Sequence, residues 1–177
     1  MIIKQATQVG NKLIRARSLE VSRPTSAATQ KIVTNLIDSM RHHGLVGMAA
    51  PQIGKGVRVF VTEIRKTKNR KVIREPDPLR VFINPRIVSL SKMQTKGFEG
   101  CGSVASSNLF GMVKRPASLV IEAIDQKGNV FTLKTRGLLA RLIQHEMDHL
   151  NGIVFVDKAD TKTYMSGNEY RKLHPKP

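Results

Sequence analysis

The stretch 137-GLLARLIQHEMDHLNG-152 decides both the fold and the chemistry. Leu138–Asn151 reads as a helix of about four turns, opened after Gly137 and closed by Gly152 as a C-terminal cap. On a wheel stepping ~100° per residue from His145, Leu138, Leu139, Leu142, Ile143, Met147 and Leu150 fill one arc, and Arg141, Gln144, Asp148 and Asn151 take the opposite one. His149 falls beside His145. Glu146 falls inside the apolar arc, where an isolated carboxylate is unfavourable unless it is paired, protonated or given a task.

The order His145-Glu146-Met147-Asp148-His149 supplies such a task. Histidines at i and i+4 reach a single cation, and the intervening glutamate then stands next to a metal-activated water. Two satisfied structural histidines would explain the same spacing but would leave Glu146 unexplained. A catalytic site of this kind needs a third protein ligand and one open position. Cys101 is the only cysteine in the chain and a natural candidate, although a lone cysteine can equally be a small buried hydrophobe.

The rest of the sequence points to one α+β domain in which strands outnumber helices. Thr25–His43 carries Ile32, Val33, Leu36, Ile37 and Met40 at helical spacing, with Ser26 as N-cap and Gly44 at the C-terminal cap. Val57–Ile64 alternates with strand period. A basic run from Arg65 to Arg74 leads to EPDP, which predicts a mobile surface loop broken at Pro76 and Pro78 before a short strand at Val81–Ile83. Leu119–Asp125 and Val130–Leu133, separated by Gln-Lys-Gly-Asn, predict a hairpin.

A chain of 177 residues with 40% hydrophobic content can bury one good core. No apolar run approaches the ~18 residues of a membrane span, and the first residues lack a signal-peptide pattern, so a soluble, cytoplasmic protein is expected. Thirty Lys and Arg against thirteen Asp and Glu give +17, which favours polyanions such as RNA. Aromatics are only 5%, so a base-stacking platform is poorly supplied.

Three segments together, GLVGMAAPQIG (44–54), EGCGS (99–103) and QHEMDHLNG (144–152), resemble the peptide deformylase family. The resemblance spans about residues 1 to 160 as a catalytic domain and leaves 161–177 as a basic C-terminal tail. It implies a compact single domain, mixed or antiparallel sheets surrounding a central helix that carries the HEMDH motif. It implies that Cys101, His145 and His149 hold one divalent ion, Fe²⁺ first, with Zn²⁺, Ni²⁺ or Co²⁺ as replacements, and that Glu146 is the acid/base group. Gln52 and the backbone N–H of Gly102 would stabilise the oxyanion. Gly47 would line the substrate groove, and Val46, Leu138 and Leu142 a pocket for methionine.

The implied reaction removes the formyl group from N-formylmethionyl nascent peptides and releases formate. The ribosome and its RNA would be a partner favoured by charge; no membrane is expected. The chain departs from the family pattern at Leu45, where a glycine is usual, and at Gly102, where leucine is usual. Ser106–Phe110 stand where many members carry a substrate-contacting arginine, and Arg141 stands where an apolar residue is common. A paralogue with shifted acyl or peptide specificity, a zinc endopeptidase and a basic RNA-binding protein with a structural metal are the competing readings.

Overall fold

The computed structural model describes residues 3–67, 72, 73 and 75–173. After a one-turn helix, α1 (Lys12–Arg15), the first long element is α2 (Ala27–His42), where Ser26 is the expected N-cap and its hydroxyl accepts from the Thr29 N–H at 3.3 Å. Val33, Leu36 and Met40 form its buried face. Then come β1 (Gly47–Ala49), β2 (Val59–Ile64), β3 (Asp77–Leu90), β4 (Gln94–Gly100), β5 (Leu109–Pro116), β6 (Ser118–Ile124) and β7 (Val130–Arg136). Helix α3 (Gly137–Leu150), strand β8 (Ala159–Ser166) and helix α4 (Gly167–Leu173) complete the described chain.

The strands form two antiparallel sheets, one ordered β1-β2-β3-β6-β7 and one ordered β4-β5-β8. Helix α3 lies between them. Leu139, Ala140, Ile143, Met147 and Leu150 pack with Phe60, Phe82, Leu119 and Ile121 of the larger sheet. The Phe60 and Phe82 rings stack at 4.4 Å. Each large side chain buried this way contributes roughly 1.5–3 kcal/mol. A second cluster joins α2 to the same sheet through Val33, Leu36, Met40, Val59 and Val61. The expected hairpin is β6–β7, in full register from Ser118↔Arg136 to Ile124↔Val130.

Two expectations need correction, on the bounds of β3 and on the boundary after residue 160. The short strand at Val81–Ile83 is the middle of a 14-residue strand, because Pro78 sits second in β3, where a missing N–H is tolerated. Part of the polar arc of the α3 wheel meets the smaller sheet rather than water. Gln144 is 6% exposed and Asp148 7%, since the smaller sheet covers them. A boundary after residue 160 falls inside β8, which pairs with β5 and so belongs to the domain. Of the basic run, Lys68, Arg70, Lys71 and Arg74 lie outside the described residues, while Arg65 pairs with Glu63 at 2.7 Å.

Candidate metal centre

Three elements converge on one point. Helix α3 brings His145 and His149 to neighbouring positions, their rings edge to face with centroids 5.1 Å apart. The turn that follows β4 brings Cys101, 3% exposed, with its Sγ 3.1 Å from His149 Nε2. One ligand atom from each of Cys101, His145 and His149 lies within 4.8 Å of the others, close enough to converge on a single ion. A thiolate and two imidazoles suit a divalent transition metal and leave a coordination position open. The residues fit the group the sequence implied.

The third element is β1 with the short 3₁₀ turn Ala50–Ile53 behind it. Gln52 is buried; its Oε1 accepts from the Ala49 N–H at 2.8 Å, which aims Nε2 at Cys101 Sγ (3.6 Å) and Ser103 Oγ (3.3 Å). Gly47 faces α3 so closely that a Cβ there would stand 2.5 Å from Glu146 Oε1 and 2.7 Å from Leu142 Cδ1. Any side chain there would push Glu146 and Leu142 out of place, which favours glycine. Leu142 and Leu138 are half-buried on the same helix, and Val46, also half-buried, leads into β1. Gly102 is buried directly after the cysteine.

Glu146 is 2% exposed and its Oε2 has no hydrogen-bond partner among the described residues. Burial pushes its carboxyl up to about 7, against the pull of the two histidines. A buried carboxylate with a vacant acceptor beside three candidate ligand atoms has the chemistry to bond a water and accept its proton. Burial alone would raise the Cys101 thiol, but the attraction and hydrogen bonds of the histidines beside it hold it well below the usual thiol range. Burial would lower His145, and contacts with Cys101 and Glu99 instead hold it well above the usual imidazole range.

His145 is held by an ionic network that the sequence reading did not assign. Glu99 Oε2 pairs with His145 Nδ1 at 2.9 Å, which fixes the ring and leaves Nε2 free to serve as a ligand atom. Glu99 is in turn gripped by Arg115 through Nε (2.7 Å) and Nη2 (2.8 Å), and Arg115 Nη1 donates to Asp148 at 2.8 Å. Lys158 Nζ closes the chain on the other Asp148 oxygen at 2.6 Å. Arg141 also donates to Glu99 at 2.7 Å and to the carbonyls of Thr95 (2.8 Å) and Val113 (3.0 Å). It therefore turns toward the smaller sheet rather than toward the groove beside Gly47. Glu99 was visible in the sequence only as a neighbour of Cys101; a carboxylate two residues before a buried ligand was the available signal.

Comparison with known proteins agrees with this geometry. A protein 37% identical over 161 residues, covering 91% of this chain and 96% of its own, is the "Peptide deformylase" of Desulforudis audaxviator. Among solved structures, a class I type b peptide deformylase from Acinetobacter baumannii superposes with a TM-score of 0.82 at 26% identity, covering 90% of this chain and all of that one. A Met-Ala-Ser-bound structure of the Acinetobacter baumannii enzyme gives 0.80 at 26% identity over 89% of this chain and 100% of that one. The family model described as Polypeptide deformylase matches residues 3–164, and the chain belongs to that family.

Proposed function

We propose that this protein removes the formyl group from N-formylmethionyl peptides and releases formate, with Cys101, His145 and His149 holding one divalent ion and Glu146 as acid/base. The observation that carries the reading is the buried Glu146 carboxylate, with its vacant oxygen, beside the three convergent ligand atoms. A divalent ion there would acidify a water and polarise the formyl carbonyl. Glu146 takes the proton of the attacking water, and Gln52 Nε2 and the Gly102 N–H donate to the oxyanion that forms as the carbonyl carbon becomes tetrahedral. Glu146 then delivers the proton to the leaving nitrogen, and the C–N bond breaks to formate and a free amine. Fe²⁺ is the proposed native ion. Val46, Leu138 and Leu142 beside Gly47 are the proposed methionine pocket, in keeping with the Met-Ala-Ser bound in the Acinetobacter baumannii structure.

The decisive experiment loads the protein with Fe²⁺ or Ni²⁺ and measures formate release from formyl-Met-Ala-Ser. Glu146→Gln is expected to keep its metal and lose on the order of 100- to 10,000-fold in kcat, the contribution of a positioned acid/base. No formate from the loaded wild type would overturn the assignment.

A cytoplasmic protein meeting nascent chains at the ribosome is the proposed setting. Among the described residues no helix is long and apolar enough to cross a membrane. A cleft of about 730 Å³ behind α3 is lined by Arg17, Arg58 and Arg86. Among the described residues Arg58 bonds Asn151 Oδ1 at 3.1 Å and the Pro85 carbonyl at 3.4 Å, and with Arg17 and Arg86 it outnumbers Glu20 in a cleft that could meet phosphate. Co-sedimentation with ribosomes should weaken steeply as salt rises; binding indifferent to salt would count against this partner.

A further inference from the structure

Gly102 and Ser103 lie directly after the cysteine, and the peptide plane between them is bonded on both edges. Its N–H, on Ser103, points to Cys101 Sγ at 3.4 Å. Its carbonyl, on Gly102, accepts from Gln8 Nε2 at 2.8 Å. Gln8 also accepts through Oε1 from the Ser106 N–H at 3.2 Å, and its Nε2 bonds the Ala6 carbonyl at 2.9 Å. One amide thus grips the segment after the cysteine at two points 94 and 98 residues away in sequence.

The backbone on either side of Gln8 repeats the pattern. The Thr7 N–H donates to the Gln52 carbonyl and the Val9 N–H to the Ser103 carbonyl, both at 2.8 Å. Residues 7–9 therefore span the gap between the two proposed oxyanion donors. Gly102 has no side chain to anchor itself. The space a Cβ would take is bordered by Leu45 Cδ1 at 3.3 Å and Ala6 Cβ at 3.6 Å, so the two departures from the family pattern, Leu45 and Gly102, face each other. With packing supplied from Leu45 and no side chain on residue 102, orientation of this peptide plane falls to its hydrogen bonds. The turn beyond needs the same restraint, since Ala105, Ser106 and Ser107 all have positive φ (45°, 49° and 67°), a region that non-glycine residues rarely occupy.

We propose that Gln8 is a positioning residue for the site: by holding the Gly102 carbonyl it sets the aim of the segment that carries the oxyanion donor and of the Ser103 N–H on the Cys101 sulfur. The inference rests on the oxyanion role given above to Gly102. Bonding at a carbonyl polarises its amide, so the Gln8 bond also strengthens the N–H···S contact that tunes the thiolate.

The test uses the full chain with two substitutions. Gln8→Met keeps the length and removes both polar groups; Gln8→Glu keeps the acceptor for Ser106 and sets a carboxylate against the Gly102 carbonyl. The backbone bonds of Thr7 and Val9 survive in both. Each variant is expected to lose about 10- to 100-fold in kcat on formyl-Met-Ala-Ser with little change in KM, the usual cost of losing a supporting hydrogen bond around a metal site. The Ser103 amide should exchange its hydrogen at least several-fold faster, and the sulfur-to-metal absorption band of the Co²⁺-loaded protein should shift.

A lowered melting temperature with kcat, Ser103 exchange and the Co²⁺ band all unchanged would reduce Gln8 to a structural role and overturn the proposal. Faster exchange with kcat intact would overturn it too. If loaded wild type releases no formate, the deformylase reading fails on its own, and the exchange rate and Co²⁺ band still decide whether Gln8 aims the segment.

Discussion

Helix α3 has two faces that hold the same histidines by opposite means. Toward the larger sheet it presents Leu139, Ile143, Met147 and Leu150 to a continuous apolar core. Toward the smaller sheet it presents Arg141, Gln144 and Asp148, and meets Glu99 and Arg115 in a buried ionic lattice. Hydrophobic contact is non-directional and tolerates small displacements, so the first face gives cohesion. Charge-assisted, bidentate hydrogen bonds are directional, so the second face fixes where His145 points. The Glu99–His145 bond connects that lattice to the proposed metal ligands.

The contrast can be broken most severely at Arg115. Arg115→Ala leaves Glu99 and Asp148, both under 10% exposed, without their central cation. A loss of about 3–5 kcal/mol in unfolding free energy is expected, and calorimetry or urea denaturation would check it. Metal retention should fall as well, because His145 loses its restrained partner. A loss below about 1 kcal/mol would mean that Arg141 and Lys158 can carry the lattice alone.

Acid separates the faces without a mutation. Despite burial, Arg115 and His145 hold the Glu99 carboxyl well below the usual carboxylate range. A depressed folded-state pKa contributes stability that is present above the unfolded value of roughly 4 and is lost as pH falls below it toward the folded value. Unfolding midpoints should therefore decline steeply below about pH 4, and Glu99→Gln should flatten that decline while lowering the plateau. A wild-type curve with the slope of the variant would show that Glu99 is not the group responsible.

The smallest effect sharpens the other side. Ile143→Val removes one methylene from a fully buried position and should cost about 0.5–1.5 kcal/mol, with kcat essentially unchanged. A changed kcat would show that the apolar face also steers the histidines.

The two faces also differ in how far the sequence reveals them. The helix, its histidine pair and the misplaced Glu146 are local patterns, legible because i, i+3 and i+4 relations are properties of the helix itself. Cys101 and Gln52 were reached through short motifs that the family shares. The ionic lattice was not legible, because Arg115 finds Glu99 16 residues away and Asp148 33 residues away through strand pairings that no local spacing encodes. A wheel separates polar from apolar arcs but cannot say whether the polar arc meets water or a second sheet, so the surroundings of Arg141, Gln144 and Asp148 were not legible. Val81–Ile83 was read short for a related reason: the strand continues through Pro78 and Asn84 because pairing with β2 and β6 overrides weak local propensity.

Strand β8 carries a consequence for the birth of the protein. Cys101 leaves the ribosome 48 residues ahead of His149, a wait of about 2–10 s at ~5–20 residues per second, and β5 has an open edge until β8 follows. During that interval the thiol has neither histidine and the smaller sheet has no closing strand. Metal loading thus waits at least for His149 to emerge, and the edge of β5 stays open a little longer, until β8 follows.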